Sequence, residues 1–217
     1  MRILWNVPFI FHFIIVSLWL HFLQDSAESL ETLLINIKNE PHLLPEISLL
    51  ADSLFATDTK MRLRLLKRCN ELGTVLHTLA SLNCLEYMEC ILYSVNSSSV
   101  FGLLRIPDDG GRTPLHFAAY HGYLDLLELM IESVITEKDR LHVLTVEDAV
   151  RCSTLDYLVN NCKNRYEYIR DSDIIYRFLN ERQQREIQKA LSAAYSDSKV
   201  ESSLKDSRDG NYYLYTS

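Results

Sequence analysis

Along most of the stretch from Ser29 to Leu191, apolar residues recur at spacings of three and four, the period of helices with one buried face. Leu30, Leu33, Leu34 and Ile37 predict a helix over Ser29–Lys38. Asn39-Glu40-Pro41 should end it, because the residue before a proline is pushed out of the α region. A second helix is expected over Pro45–Phe55, with Pro45 in the first turn, where its missing N–H costs nothing. Asp58 is the expected cap of a third, from Thr59 to about Arg68, with Lys60, Arg64 and Lys67 along one side. Leu115, Ala118 and Ala119 make a narrow apolar face, followed by a stripe of Leu124, Leu126, Leu127, Met130 and Ile131. A last helix is expected over Ile174–Leu191 behind an Asp173 cap, turning Ile175, Phe178, Leu179 and Ile187 inward. Its outer side would carry the i, i+4 pairs Glu181–Arg185 and Arg182–Glu186. The pattern predicts an all-α fold.

The segment D-D-G-G-R-T-P-L-H-F-A-A-Y-H-G-Y-L-D-L-L-E-L-M-I-E, from Asp108 to Glu132, resembles an ankyrin repeat. Thr113 is placed to cap a helix and Pro114 to occupy its first position. Leu115 faces inward, and Gly122 supplies the left-handed conformation that ends a helix. The resemblance implies that Thr113 and His116 hydrogen-bond each other and nearby backbone. It also implies a tight turn at Asp108-Asp109-Gly110-Gly111, forming the tip of a finger.

One such unit cannot bury its faces alone, so neighbours are expected. Thirty-nine residues upstream of His116 stands His77, where Thr74, Leu76, His77 and Ala80 fall on Thr113, Leu115, His116 and Ala119. Asn83 replaces the terminal glycine and tolerates a left-handed conformation. Forty residues downstream of His116 stands Asp156, where Asp148, Leu155 and Leu158 match Asp108, Leu115 and Ala118, while Cys162 takes the glycine position. The family unit is about 33 residues. The surplus is expected in inter-repeat loops, at Asn96-Ser97-Ser98-Ser99 and around Glu137-Lys138-Asp139. The implied fold is a short ankyrin-repeat solenoid, two clear repeats and one degenerate, with flanking capping helices.

Composition narrows the functional classes. The 217 residues carry a formal net charge of -7, which argues against a nucleic-acid partner bound through phosphate neutralisation. Cys69, Cys84, Cys90, Cys152 and Cys162 are odd in number and lack C-x-x-C spacing, so they read as reduced, mostly buried apolar residues. No Gly-rich phosphate loop, nucleophile elbow or H-E-x-x-H helix occurs. His77 and His116 sit in the structural slot of the motif. Neither a catalytic residue nor a metal or cofactor is therefore expected. The resemblance implies recognition of another protein through the finger and first helix, which here means Asp109, Arg112, Phe117, Tyr120 and His121. Lys60, Arg64, Lys67 and Arg68 read as a solvated face, with an acidic partner or lipid headgroups as the alternative.

The expected organisation is a hydrophobic amino-terminal segment (1–28), a helical cap (29–69), repeats (70–165), a capping helix (166–195) and a disordered tail (196–217) with Tyr212, Tyr213 and Tyr215. Ile3 to Leu23 contains no Asp, Glu, Lys or Arg and matches either a membrane span or a signal-peptide core. The expectation is a non-enzymatic interaction module or scaffold in the cytoplasm, able to touch a membrane through that segment. A secreted or lumenal protein with a cleaved signal peptide is the first alternative. An enzyme with its catalytic part in the flanking helical regions is the second.

Overall fold

In the computed structural model the described residues are 29–39, 44–69, 73–161 and 166–193. The apolar segment Ile3–Leu23, Cys162 and the tail with its three tyrosines lie outside them. Twelve α-helices follow in order. They are α1 (29–39), α2 (Ile47–Ala56), α3 (Thr59–Leu66), α4 (Val75–Ser81), α5 (Leu85–Tyr93) and α6 (Ser97–Leu104). Then come α7 (Pro114–His121), α8 (Leu124–Glu132), α9 (Glu137–Thr145), α10 (Thr154–Asn161), α11 (Tyr166–Asp171) and α12 (181–193). A 3-10 turn at Tyr176–Phe178 separates the last two. Among the described residues there is no strand, only isolated bridge residues such as the Glu147–Ser153 pair. No described helix is long and apolar enough to cross a membrane.

The helices stack in register. The first helix of each unit packs on the next, α4 on α7 and α7 on α10. Second helices do the same, α2 on α5 and α5 on α8. Leu76, Leu115 and Leu155 occupy equivalent inward positions at 0, 0 and 4% exposure, so a continuous apolar column runs through the stack. Ala118 and Ala119 are fully buried, and their small side chains let neighbouring helices approach closely. Truncating such a leucine to alanine typically costs about 2–5 kcal/mol.

The surplus residues do not form loops. Asn96 accepts a hydrogen bond from Ser99 N–H at 3.0 Å, and Thr136 accepts one from Asp139 N–H at 3.1 Å. Each therefore caps an additional helix, α6 or α9, whose Val100, Leu103, Leu104, Val143 and Leu144 are buried. These units are three-helix repeats. Residues 29–66 follow the same order of three helices, and Asp58 caps α3 by accepting from Lys60 and Met61 N–H. Pro45 lies ahead of α2 rather than in its first turn; Glu46 is the N-cap, and Pro45 O accepts from the Tyr87 hydroxyl at 2.6 Å.

At the carboxyl end the single helix expected over Ile174–Leu191 is divided. Leu179 adopts an extended backbone, and Asn180 and Gln183 exchange hydrogen bonds between side chain and backbone, starting α12 afresh. Ile175, Leu179 and Ile187 are nevertheless buried, and Glu181–Arg185 pair at 3.3 Å. The cysteines are less buried than expected: Cys69 is exposed and Cys84, Cys90 and Cys152 are half-buried.

Candidate protein-interaction site

The finger at 108–112 is built by one aspartate. Asp108 Oδ1 accepts from Gly110 and Arg112 N–H at 2.9 and 2.8 Å, while Oδ2 accepts from the Arg112 guanidinium at 2.8 and 3.0 Å. Gly111 holds φ of +76°, and a Cβ there would lie 2.9 Å from Ala149 N in the next finger. Ala149 N–H donates to Gly110 O at 3.0 Å, joining the two fingers. Asp148 repeats the role: Oδ1 accepts from Val150 and Cys152 N–H, and Oδ2 accepts from the Tyr157 hydroxyl at 2.7 Å. Burial works against the Asp148 charge, but these donors outweigh it and hold its carboxyl below the usual carboxylate range. The same bond pushes the Tyr157 phenol up to about 12.

Each first helix then starts on a reciprocal cap. Thr113 N–H donates to His116 Nδ1 at 3.0 Å, and Thr74 N–H to His77 Nδ1 at 2.9 Å. A ring nitrogen that accepts carries no proton, so Nε2 holds it and donates onward. His77 Nε2 reaches Arg112 O at 3.0 Å, and His116 Nε2 reaches Val146 O and Cys152 O at 3.1 and 3.2 Å. Both imidazoles are committed at both nitrogens, and burial pushes both below the usual histidine range. In the third repeat Asp156 takes over the cap, accepting from Ser153 N–H and hydroxyl at 3.0 and 2.6 Å.

The exposed side of these helices carries a chain of rings. Tyr120 stands edge-on to His121 at 5.1 Å and to Tyr157 at 5.8 Å, and His121 stacks on Tyr123 at 5.4 Å. Arg112 lies over the Phe117 ring at 4.6 Å, and His77 meets that ring edge-on at 5.7 Å. Arg112, Phe117, Tyr120, His121 and Tyr157 line a cleft of about 190 Å³ between the first helices of two repeats.

Residues 76–131 match the family model for ankyrin repeats in many copies. These are ankyrin repeats. No curated protein matches the chain. The matched span runs from α4 to α8, so the three-helix character of the second unit and the whole third unit lie beyond it. Ankyrin repeats are commonly protein-interaction modules and typically non-catalytic.

Of the residues singled out in the sequence, the structure gathers Arg112, Phe117, Tyr120 and His121 around one cleft, and leaves Asp109 apart from it, exposed at the finger tip. Phe117 is half-buried beneath Arg112 rather than presented as an anchor. The motif residues Thr113, Pro114, Leu115, His116, Thr74 and His77 are all buried, and Gly122 ends α7 at φ of 72°. Asn83 takes φ of 57° in the matching place. Tyr157 was missed. Counting 40 residues on from Phe117 lands on it, but the erosion of the third repeat hid the correspondence.

Proposed function

We propose that this chain is a non-enzymatic interaction module or scaffold, and that its partner docks against Arg112, Tyr120, His121 and Tyr157, with Asp109 at the rim. The supporting observation is Tyr120, which is 56% exposed yet held by ring contacts on both sides. An aromatic that is already ordered loses little side-chain entropy on binding, which is why such residues dominate interfaces. Phe117 orients the Arg112 guanidinium from below, leaving Tyr120 and Tyr157 as the apolar contact area.

The test is quantitative affinity capture from native extract with the intact chain against a Tyr120→Ala/His121→Ala variant. Both side chains are exposed, so the variant is expected to melt as the parent does while losing its specific partner. Unchanged recovery of every captured protein would remove this face from consideration. Phe117→Ala is unsuitable, because it would also release Arg112 and His77.

A further inference from the structure

The third helix of each unit, α3, α6 and α9, builds a surface that the two-helix ankyrin unit lacks. Aligning the buried pairs Leu65-Leu66, Leu103-Leu104 and Val143-Leu144 puts Leu63, Phe101 and Leu141 at one shared position at the margin of the core, the first two partly buried and Leu141 exposed. On α3 that position is flanked by Lys60, Arg64 and Lys67, all exposed. On α6 it is flanked by Arg105, and on α9 by Lys138 and His142, exposed as well. Phe101 and His142 rings lie 5.8 Å apart, so the α6 and α9 faces are contiguous. Between them runs a groove of about 360 Å³ with Phe101 and Leu141 as its apolar part, Arg105, Lys138 and His142 at its sides, and the Asp139 carboxylate also in its lining. Arg62 of α3 donates to Ser94 O at the α5–α6 corner, which brings α3 to the same edge of the stack.

Two kinds of cation occupy these helices. Arg62 and Arg140 point inward and bind backbone carbonyls, Arg62 at Thr57 O (2.8 Å) and Arg140 at Val134 O (2.7 Å). Among the described residues, Lys60, Arg64, Lys67, Arg105 and Lys138 take part in no ion pair. Of the nearby acids, Glu137 faces Arg177 at 4.0 Å, while Asp58, which caps α3, and Asp139, which accepts from the Thr136 hydroxyl, keep their charge and are outnumbered by the five cations. The result is a locally cationic face on a chain of net charge -7.

Gly102 adds an independent observation. It sits in the middle of α6, where glycine is less favourable than alanine because it loses more backbone freedom on folding. A Cβ there would meet nothing within 4 Å, so internal packing does not require its absence. It stands at the position of Arg64 and His142 in the neighbouring helices, and it leaves the centre of the face open to close backbone approach.

We propose that the outer faces of α3, α6 and α9 form a second docking surface, for an acidic peptide segment of another protein with apolar side chains between its carboxylates. Charge complementarity selects the acidic partner. The apolar row, recessed at Leu63 and Phe101 and exposed only at Leu141, selects a peptide. Phe101 lies under Arg105 at 5.0 Å and Leu63 is partly buried, whereas insertion into a lipid surface needs apolar side chains projecting beyond the cations. A nucleic acid would be served by an uninterrupted basic stripe.

The experiment is fluorescence anisotropy on the full chain with a labelled 14-residue peptide in which Glu and Asp alternate with Leu and Phe. The comparison ligands are its Gln/Asn counterpart, phosphatidylserine–phosphatidylcholine vesicles and a 20-nucleotide single strand. The acidic peptide should bind at least about tenfold tighter than the neutral one and weaken with added salt. Arg105→Glu/Lys138→Glu should lose at least about tenfold in affinity, while Lys189→Glu on α12 changes nothing. Should the reversed pair lower the melting temperature, Arg105→Gln/Lys138→Gln gives the same reading with smaller amplitude. Equal binding of acidic and neutral peptides, indifference to these substitutions, or charge-dependent binding of vesicles or oligonucleotide alone overturns the proposal.

Discussion

His77 and His116 each use both ring nitrogens, one inward to the cap of their own helix and one outward to a carbonyl of the following finger. Only the neutral ring can do both, since protonation removes the acceptor at Nδ1. Burial lowers the folded-state pKa of each, so between that value and the unfolded value near 6.5 the unfolded chain binds more protons. The contribution is therefore complete above about pH 6.5 and is lost as pH falls through the folded-state values. Urea midpoints compared at pH 7.5 and 5.5 should show this decline. A His77→Gln/His116→Gln variant, whose amide can accept and donate without titrating, should show a shallower one. The neighbouring groups that bear on these rings are Lys38, Asp108 and Arg112 for His77, and Asp108 and Asp148 for His116. The bond between Thr113 and His116 was legible in the motif. The carbonyl that each Nε2 reaches belongs to another unit, and local pattern carries no information about it.

At the scale of elements, the additional helices α6 and α9 show how a loop-like composition can mislead. Asn96-Ser97-Ser98-Ser99 reads as a polar connector, yet Asn and Ser are also strong cap residues, and the apolar Val100, Leu103 and Leu104 follow at helical spacing. Eight residues of helix are marginal alone. Burial of those side chains against α5 and α9 holds α6 in place. Because Gly102 lies in open space within this helix, Gly102→Ala should raise stability by about 1 kcal/mol. Equilibrium denaturation measures that gain, and a loss would mean that the backbone at 102 is not the regular helix described. The division of the last helix has the same origin as α6. Asn180 and Gln183 offer a better start than Asp173, and nothing in the apolar spacing of Ile175, Leu179 and Ile187 marks the break.

Across the whole molecule, one carbonyl position repeats as a socket between units. Gly73 O accepts from Lys38 at 2.8 Å, Arg112 O from His77, and Cys152 O from His116. Lys38 on α1 thus supplies the donor that a preceding histidine would supply. At the other end the polarity reverses: Asp156 Oδ1 accepts from the Gln183 amide at 3.1 Å, because α12 offers a donor where a further finger would offer a carbonyl. Aspartate at the place of His116 in the third unit therefore matches the donor that its neighbour offers. Asp156→Ala should cost about 2 kcal/mol, from the lost cap and the lost charged acceptor together. Asp156→His restores the family residue but sets its Nε2–H against the Gln183 amide, whose oxygen already accepts from Asn180 N–H. It should destabilise as well, measured by urea denaturation. A stability gain from that histidine would refute the reversed-polarity account of the end cap.

The sequence by itself determined the start and stop of the first helix in the two clear repeats, since Thr74, Thr113, Asn83 and Gly122 act on backbone within a few residues of themselves. It also determined which faces are apolar, because helical spacing dictates them. The grouping of Arg112, Tyr120 and His121 with Tyr157, the turning of Arg62 and Arg140 onto backbone carbonyls, and the contiguity of α6 and α9 were decided only by tertiary structure. Each of these relates residues of different units. Their proximity depends on how units stack, and stacking follows from shape-matched burial of Leu76, Leu115 and Leu155 rather than from any local signal.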